Sequence, residues 1–234
     1  MAVNKLSIII PVYNERGTIL ELVKRVESVD LPFTKEIIIV DDGSTDGTRE
    51  LLKQLDKNKF TLIFKEKNEG KGAALKLGFE TASGDVIIMQ DADLEYDPRD
   101  YEKVLAPILE ERADVVYGSR FVGSGARRVL YFWHYVGNRF LTFLSNMLTN
   151  LNLSDMETGC KAFRKEVVDS FKHKLRSKKF DIEPEITARI ANGKWRVYEV
   201  GISYSGRTYA EGKKIIWKDG IKAAVQIIRF NFFK

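Results

Sequence analysis

Four short, almost continuous apolar runs, rich in β-branched residues, punctuate the first half of the chain at residues 6–12, 36–40, 60–64 and 86–89. Runs of this length without polar alternation read as strands buried on both faces. Between the first two, Ile19, Leu22, Val23, Val26 and Val29 recur at helical spacing. Leu51, Leu52 and Leu55 mark a second helical segment, opened by Ser44 or Thr45, and a small-residue helix is expected over 73–82. Asn14 is expected to cap the first helix. Buried strands alternating with helices imply an α/β fold with a mostly parallel central sheet and helices on both faces. In such sheets ligands bind beyond the carboxyl ends of the strands, and every polar cluster in this half follows a strand.

The second half is less regular. Residues 98–112 read as a helix and 115–117 as a short strand. From 127 to 153 the chain turns aromatic and apolar with Arg and Asn interspersed, and 215–233 is a second amphipathic stretch. No repeat, low-complexity tract or Pro/Gly-rich linker interrupts the 234 residues, so one continuous domain over 1–234 is expected. No apolar run reaches the roughly 18 residues of a membrane-spanning helix, and no signal-peptide pattern is present. The single cysteine, Cys160, excludes an internal disulfide. A cytoplasmic location follows. The net charge of +5 suits anionic substrates or an anionic membrane surface. The basic run 172–179 reads as a solvated face, and no nucleic-acid motif is present, so nucleic acid is not an expected partner. His134 and His173 lack metal-ligand spacing, and Trp133, Trp195 and Trp217 read as packing residues.

The apolar run 86–89 leads into Asp91-Ala92-Asp93. On a strand, alternate side chains share a face, so the two carboxylates are expected to point the same way. Carboxylates that close repel unless a cation lies between them or one stays protonated. A hard divalent ion with few protein ligands and a shell completed by phosphate oxygens would remove the repulsion. Tyr13-Asn14-Glu15 and Asp41-Asp42-Gly43-Ser44-Thr45-Asp46 stand where acidic loops accept hydrogen bonds from a ribose or base, although the same residues also serve ordinary turns. Asn68-Glu69-Gly70-Lys71-Gly72 sets glycines around a lysine at a helix start, a place for phosphate. It is not a P-loop, and no Gly-x-Gly-x-x-Gly follows the first strand.

Taken in order, Pro11-Val12-Tyr13-Asn14-Glu15, residues 40–48, residues 68–72 and Asp91-Ala92-Asp93 resemble glycosyltransferase family 2, the inverting GT-A sugar-nucleotide transferases. The second half resembles the polyprenyl-phosphate (dolichyl-phosphate) branch through Gly118-Ser119-Arg120-Phe121, Asn138-Arg139, Asp155-Met156-Glu157-Thr158-Gly159, Phe163-Arg164 and the segment 207–213. The resemblance implies the GT-A nucleotide-diphospho-sugar transferase fold, with 1–120 binding the nucleotide sugar and 121–234 the acceptor. It implies that Pro11, Tyr13, Glu15 and Asp42 hold the nucleoside, with Lys71 close by. Asp91 and Asp93 would place Mg²⁺ or Mn²⁺ on the diphosphate. Glu95 stands where many mannosyl enzymes of the branch carry Gln, and would still be a metal ligand. Arg207 and Lys213 would clamp the diphosphate, while Arg120 with Arg127 or Arg128 would hold the acceptor phosphate.

The implied reaction is metal-dependent, inverting transfer of a hexose, mannose or glucose, from GDP-mannose or UDP-glucose to polyprenyl phosphate at the membrane surface. A phosphate acceptor is already ionised and needs no strong base. Transfer to a saccharide or glycolipid hydroxyl, the alternative, requires a carboxylate to take the proton, with Asp155 and Glu157 as candidates. Asp93, Arg120 and Asp155 are thus the candidate catalytic residues. A non-enzymatic, basic nucleic-acid-binding protein is the reading from another class. Relatives in the branch reach the bilayer, some through transmembrane helices that this sequence does not show. The stretches 129–148 and 215–233 would lie in the interface here, making the protein peripheral on the cytoplasmic face. Their alternative is core packing or a homodimer contact.

Overall fold

A computed structural model describes residues 3–123, 128–129, 131–211 and 217–232. Its elements run β1 (Lys5–Val12), α1 (Ile19–Ser28), β2 (Thr34–Asp41), α2 (Thr48–Leu52), β3 (Phe60–Phe64), α3 (Lys71–Thr81), β4 (Val86–Met89), α4 (Tyr101–Leu109), β5 (Val115–Ser119), α5 (Phe132–Thr149), β6 (Lys161–Arg164), α6 (Lys165–Phe171), α7 (Ile182–Ala191), β7 (Val197–Gly201) and α8 (Trp217–Phe232). The seven strands form one sheet in the order β3-β2-β1-β4-β6-β5-β7. Only β6 runs antiparallel to its neighbours, β4 and β5. The expected parallel core is therefore present, with one reversed strand joining the two halves.

Alternation along β1 builds the two layers. Leu6, Ile8, Ile10 and Val12 face one core with α1 and α4, while Ile9 faces the other with Ala74, Leu75 and Phe79 of α3. These β1 side chains are essentially inaccessible to solvent, and each contributes about 1.5–3 kcal/mol of burial. Ile182, Ile186 and Ile190 bring α7 to the second core, and Ala223 and Ile227 bring α8 to it.

Several local expectations are corrected. Asn14 is no helix cap: it lies in the left-handed region at φ 52°, and α1 begins at Ile19 behind Thr18. The second helix opens at Thr48 behind Gly47, not at Ser44 or Thr45. The segment 98–112 divides into a 3-10 turn, Pro98–Asp100, and α4. β6, α6, α7 and β7 are additions. Trp133 is not a packing residue, being 77% exposed.

Candidate active site

The loops after β1, β2, β4 and β5 come together with the N-terminus of α3. The first two are laced to each other. Ser44 Oγ accepts from the Asn14 amide (3.0 Å), Asn14 Oδ1 from the Thr45 amide (2.8 Å) and Thr48 Oγ1 from the Glu15 amide (3.0 Å). A left-handed Asn makes this turn at low cost. Asp42, buried, accepts from Lys65 (2.5 Å) and from the Glu69 and Gly70 amides (3.1 and 2.6 Å). It thereby fixes the glycine loop that starts α3. Gly70, at φ 106°, has no room for a side chain because a Cβ would overlap the Lys178 carbonyl oxygen. Pro11 and Tyr13 are half-buried at the end of β1, beside Glu15.

Beyond β4, the strand ends at Met89, so Asp91 and Asp93 lie in the following turn. Strand alternation does not pair them. The turn does, held by Gln90, whose Nε2 donates to the Asp91 and Tyr96 carbonyls (3.0 and 3.3 Å) and whose Oε1 accepts from Tyr101 (3.0 Å). Leu94 reverses the chain at φ 62°, a strained conformation for this residue that tends to concentrate at functional sites.

Two cations divide the carboxylates of the turn. Lys71 Nζ lies 2.7 Å from Asp91 and 2.8 Å from Glu183 of α7. Burial alone would lower the Lys71 pKa, but Asp91 and Glu183 outweigh it and raise it. The Arg207 guanidinium reaches Asp93 (2.9 Å), Glu15 (3.2 Å) and Glu95 (3.5 Å). Glu95 also accepts from Tyr204 (2.9 Å) and from the Arg207 amide (2.8 Å). Two cations, Lys71 and Arg207, thus meet five carboxylates, and burial together with Asp91 and Glu95 pushes the Asp93 carboxyl up to about 7 against the pull of Arg207.

Excess negative charge of this kind fits a hard divalent cation. Among the described residues no group of three or more His, Cys, Asp or Glu is gathered as a ready metal cage. Asp91 is engaged by Lys71, whereas Asp93 and Glu95 share Arg207. A cation here would take a few carboxylate oxygens, from Asp91 and Asp93 first, and complete its shell elsewhere.

The other wall is built on β5. Arg120 forms a two-pronged pair with Asp155, Nε to Oδ2 and Nη2 to Oδ1 at 2.7 Å each, and its amide donates to Oδ2 (3.1 Å). The guanidinium also stacks over Tyr204 and Phe121, 5.3 and 5.6 Å from the ring centres. Glu199 of β7 accepts from the Ser154 and Asp155 amides and steadies the segment. Asp155 is fully buried, with both of its oxygens engaged by Arg120. Arg128 is paired with Glu211 (2.8 Å). Arg127 and Lys213 lie outside the described residues.

Glu183, Tyr204, Gln90, Lys161 and Glu199 escaped the sequence reading. Only Glu183 carried a signal, an acid set among Ile182, Ile186 and Ile190 on the inward face of a helical segment. Beside Arg128, α5 and α8 bury one stripe, including Leu141, Thr142, Ser145, Ala223 and Ile227, and leave the rest open. Val129 is 89% exposed, Phe132, Phe140, Phe143 and Met147 about as open as Ile221, Val225 and Phe232. Each helix therefore packs one face on the second core and presents the other to solvent. No described helix is long and apolar enough to cross a membrane.

Residues 7–171 match the family model described as glycosyl transferase family 2. The chain is 29% identical to UDP-N-acetylglucosamine–dolichyl-phosphate N-acetylglucosaminyltransferase of Methanococcus voltae, over 92% of either protein. It is 33% identical to dolichol-phosphate mannosyltransferase of Pyrococcus furiosus over 89% of this chain, but spans only 59% of that protein. With the undecaprenyl-phosphate 4-deoxy-4-formamido-L-arabinose transferase of Pseudomonas savastanoi pv. phaseolicola the identity is 34% over 70% of this chain and 48% of the relative. In shape it resembles glucosyl-3-phosphoglycerate synthase from Mycobacterium tuberculosis, crystallised with Mn²⁺, UDP and phosphoglyceric acid. The TM-score is 0.73 at 17% identity, over 97% of this chain and 77% of that one. The shared architecture is the GT-A fold.

Proposed function

The chain belongs to glycosyl transferase family 2, and from that premise we propose that it moves a sugar, a hexose or N-acetylhexosamine, from a nucleoside-diphosphate sugar to a polyprenyl phosphate, with inversion and with a divalent cation. The observation that carries this reading is the pairing of two charge environments in one crevice. A carboxylate cluster short of positive charge lies at the end of β4, and a buried guanidinium lies at the end of β5.

In this reading Glu15, Tyr13, Pro11 and Asp42 border the nucleoside. Asp91 and Asp93, with Glu95, would hold Mg²⁺ or Mn²⁺, which supplies Lewis-acid stabilisation of the departing diphosphate. Arg207, which now pairs with Glu15, Asp93 and Glu95, would neutralise the diphosphate, a role shared with Lys213. Lys71, locked between Asp91 and Glu183, keeps Asp91 oriented. Arg120, aimed by Asp155 and backed by two rings, holds the acceptor phosphate, with Arg127 or Arg128 near the same group. A preorganised contact of this kind is typically worth about 10²–10³-fold in rate. The phosphate monoester is its own nucleophile, so no base is required.

Residues 1–120 would bind the donor and 121–234 the acceptor within a single catalytic domain. The open aromatic faces of α5 and α8, with Arg139 and Arg229 beside them, suit an interfacial position on the cytoplasmic face of a bilayer, where the lipid acceptor is found. Contact between two copies of the chain is the competing use of that face. Transfer to a saccharide hydroxyl has one specific support: Glu157, pushed up to about 7 by burial and by Glu183, has the proton affinity of a base.

The test is a donor panel of UDP-N-acetylglucosamine, UDP-glucose and GDP-mannose with Mn²⁺, a short-chain polyprenyl phosphate and anionic vesicles. Label from one donor is expected in the lipid fraction, with the protein sedimenting with the vesicles. Label that appears only as free sugar, or only on an added saccharide, refutes the lipid-phosphate reading.

A further inference from the structure

Three of the four buried side-chain polar atoms that lack a hydrogen-bond partner among the described residues belong to residues around this site: Glu157 Oε1, Glu183 Oε2 and Arg207 Nε. Buried polar atoms are nearly always paired, so unpaired ones ask what pairs them in the working protein. Arg207 is accounted for by the diphosphate. The two carboxylates are not, because neither is needed for the cation or the acceptor phosphate.

Their placement is informative. Glu157 sits mid-way along the segment 155–159. One end of that segment, Asp155, holds Arg120 at 2.7 Å. The other end, Gly159, lies so close to Asp91 that a Cβ would overlap its Oδ2. Glu157 therefore stands between the acceptor-phosphate side and the cation side, where a sugar in transfer must lie. Glu183 is 4% exposed and uses its Oε1 on Lys71 (2.8 Å), itself paired with Asp91, leaving Oε2 without a hydrogen-bond partner among the described residues. Buried Lys161 interacts with both carboxylates through its charge, but its hydrogen bond goes to the Thr158 carbonyl and its ammonium lies 5.1 Å over the Tyr117 ring, so it makes no hydrogen bond to either of them.

Carboxylate oxygens accept hydrogen bonds and repel anions. We propose that Glu157 and Glu183 form the donor-sugar subsite, accepting hydrogen bonds from hydroxyl or amide N–H groups of an uncharged sugar and excluding hexuronic acids. This inference rests on the nucleotide-sugar reading and adds the chemical class of the sugar. A site built to accept from a substrate donor rejects strongly an analogue that cannot donate.

The experiment compares wild type, Glu157→Gln, Glu157→Asp and Glu183→Gln in the presence of Mn²⁺. Affinity is measured for UDP and GDP alone, for UDP-glucose, UDP-N-acetylglucosamine and GDP-mannose, and for UDP-glucuronate and GDP-mannuronate. Thermal unfolding checks that each variant folds, and Glu157→Asp keeps the charge while shortening its reach. Wild type is expected to bind the matching neutral nucleotide sugar and to discriminate against the uronate. Glu157→Gln is expected to weaken the nucleotide sugar by about 10–100-fold, the worth of hydrogen bonds to a charged group, to leave the free nucleoside diphosphate unchanged, and to narrow the discrimination against the uronate. Equal weakening of nucleotide and nucleotide sugar would overturn the inference. So would a fall in kcat alone with loss of one limb of the pH profile, which marks a general base. Wild type that accepts the uronate as readily as the neutral sugar also overturns it. Wild type that binds no nucleotide sugar at all overturns the proposed function itself, a distinguishable result.

Discussion

Replacing Asp155 by Asn separates two uses of the same carboxylate. The side chain is fully buried, and both of its oxygens are committed to Arg120 at 2.7 Å, one of them also to the Arg120 amide. Removing one charge of a buried pair strands the other, at a typical cost of about 3–5 kcal/mol. Even 3 kcal/mol lowers the melting temperature of a domain of this size by about 10 °C. The kinetic signature follows from the geometry. Asn keeps the shape but loosens the two-pronged grip, so Arg120 drifts on its Tyr204 and Phe121 supports. Displacement of a positioning group by about 1 Å costs on the order of 10²-fold, and it is expected in the KM for acceptor phosphate with the shape of the pH–rate profile preserved. Thermal unfolding and steady-state kinetics at several pH values measure both parts. A variant as stable as wild type, with unchanged acceptor KM and a lost limb in the pH profile, would refute the positioning role and identify Asp155 as a base.

Three further outcomes are expected. Because burial, Asp91 and Glu95 push Asp93 up to about 7, a cation must displace a proton below that pH. Mn²⁺ affinity, measured by titration calorimetry, should rise by about tenfold per unit up to pH 7 and then level off, whereas Asp93→Asn should lose both affinity and slope; a flat profile between pH 5.5 and 8 contradicts this. Gly159→Ala forces a Cβ onto Asp91 Oδ2 and the Tyr96 ring. It should destabilise by about 1–3 kcal/mol and weaken Mn²⁺ binding, and a neutral variant would show that Asp91 has freedom to move. Partial burial would raise the Glu36 carboxyl, but hydrogen bonds from Lys5, Ser7 and Ser83 outweigh it and hold it down to about 2. Its stabilisation is therefore full above the ordinary carboxylate range and disappears as pH falls through about 2. Urea unfolding of Ser7→Ala should show about 1 kcal/mol less stability at pH 6 and a smaller loss on acidification, and an identical acid slope would contradict the assignment.

The first half of the fold was legible because β1, β2 and β4 carry apolar runs buried on both faces, and each run ends where ligand loops must begin; β3, at the sheet edge, is only part-buried and exposes Thr61. The same logic placed Asp42, Lys71, Asp91 and Asp93 at one sheet edge. Strand alternation does not pair the aspartates, because β4 stops at Met89 and a turn braced by Gln90 arranges them. The second half was harder to read because its elements violate local rules. β6 is four residues long and buries Lys161 completely, a residue that pattern reading assigns to the surface. α7 carries Glu183, Pro184 and Glu185 in its first turn, all buried. The Arg120–Asp155 pair joins residues 35 apart, and no local pattern signals which acid will meet which base. The basic run 172–179 is largely the solvated face expected of it: His173, Lys174, Arg176, Lys178 and Lys179 are exposed, while Lys172 pairs with Asp169.

Crystals grown with Mn²⁺ and the donor that labels the lipid fraction, recorded at the manganese absorption edge, test the account most directly. The expected result is an anomalous peak bonded to Asp91 and Asp93 and to both phosphates, with Arg207 released from Glu15 and Asp93 onto the diphosphate. A structure holding nucleotide sugar but no manganese at that point, with Arg207 still seated on its carboxylates, would contradict it.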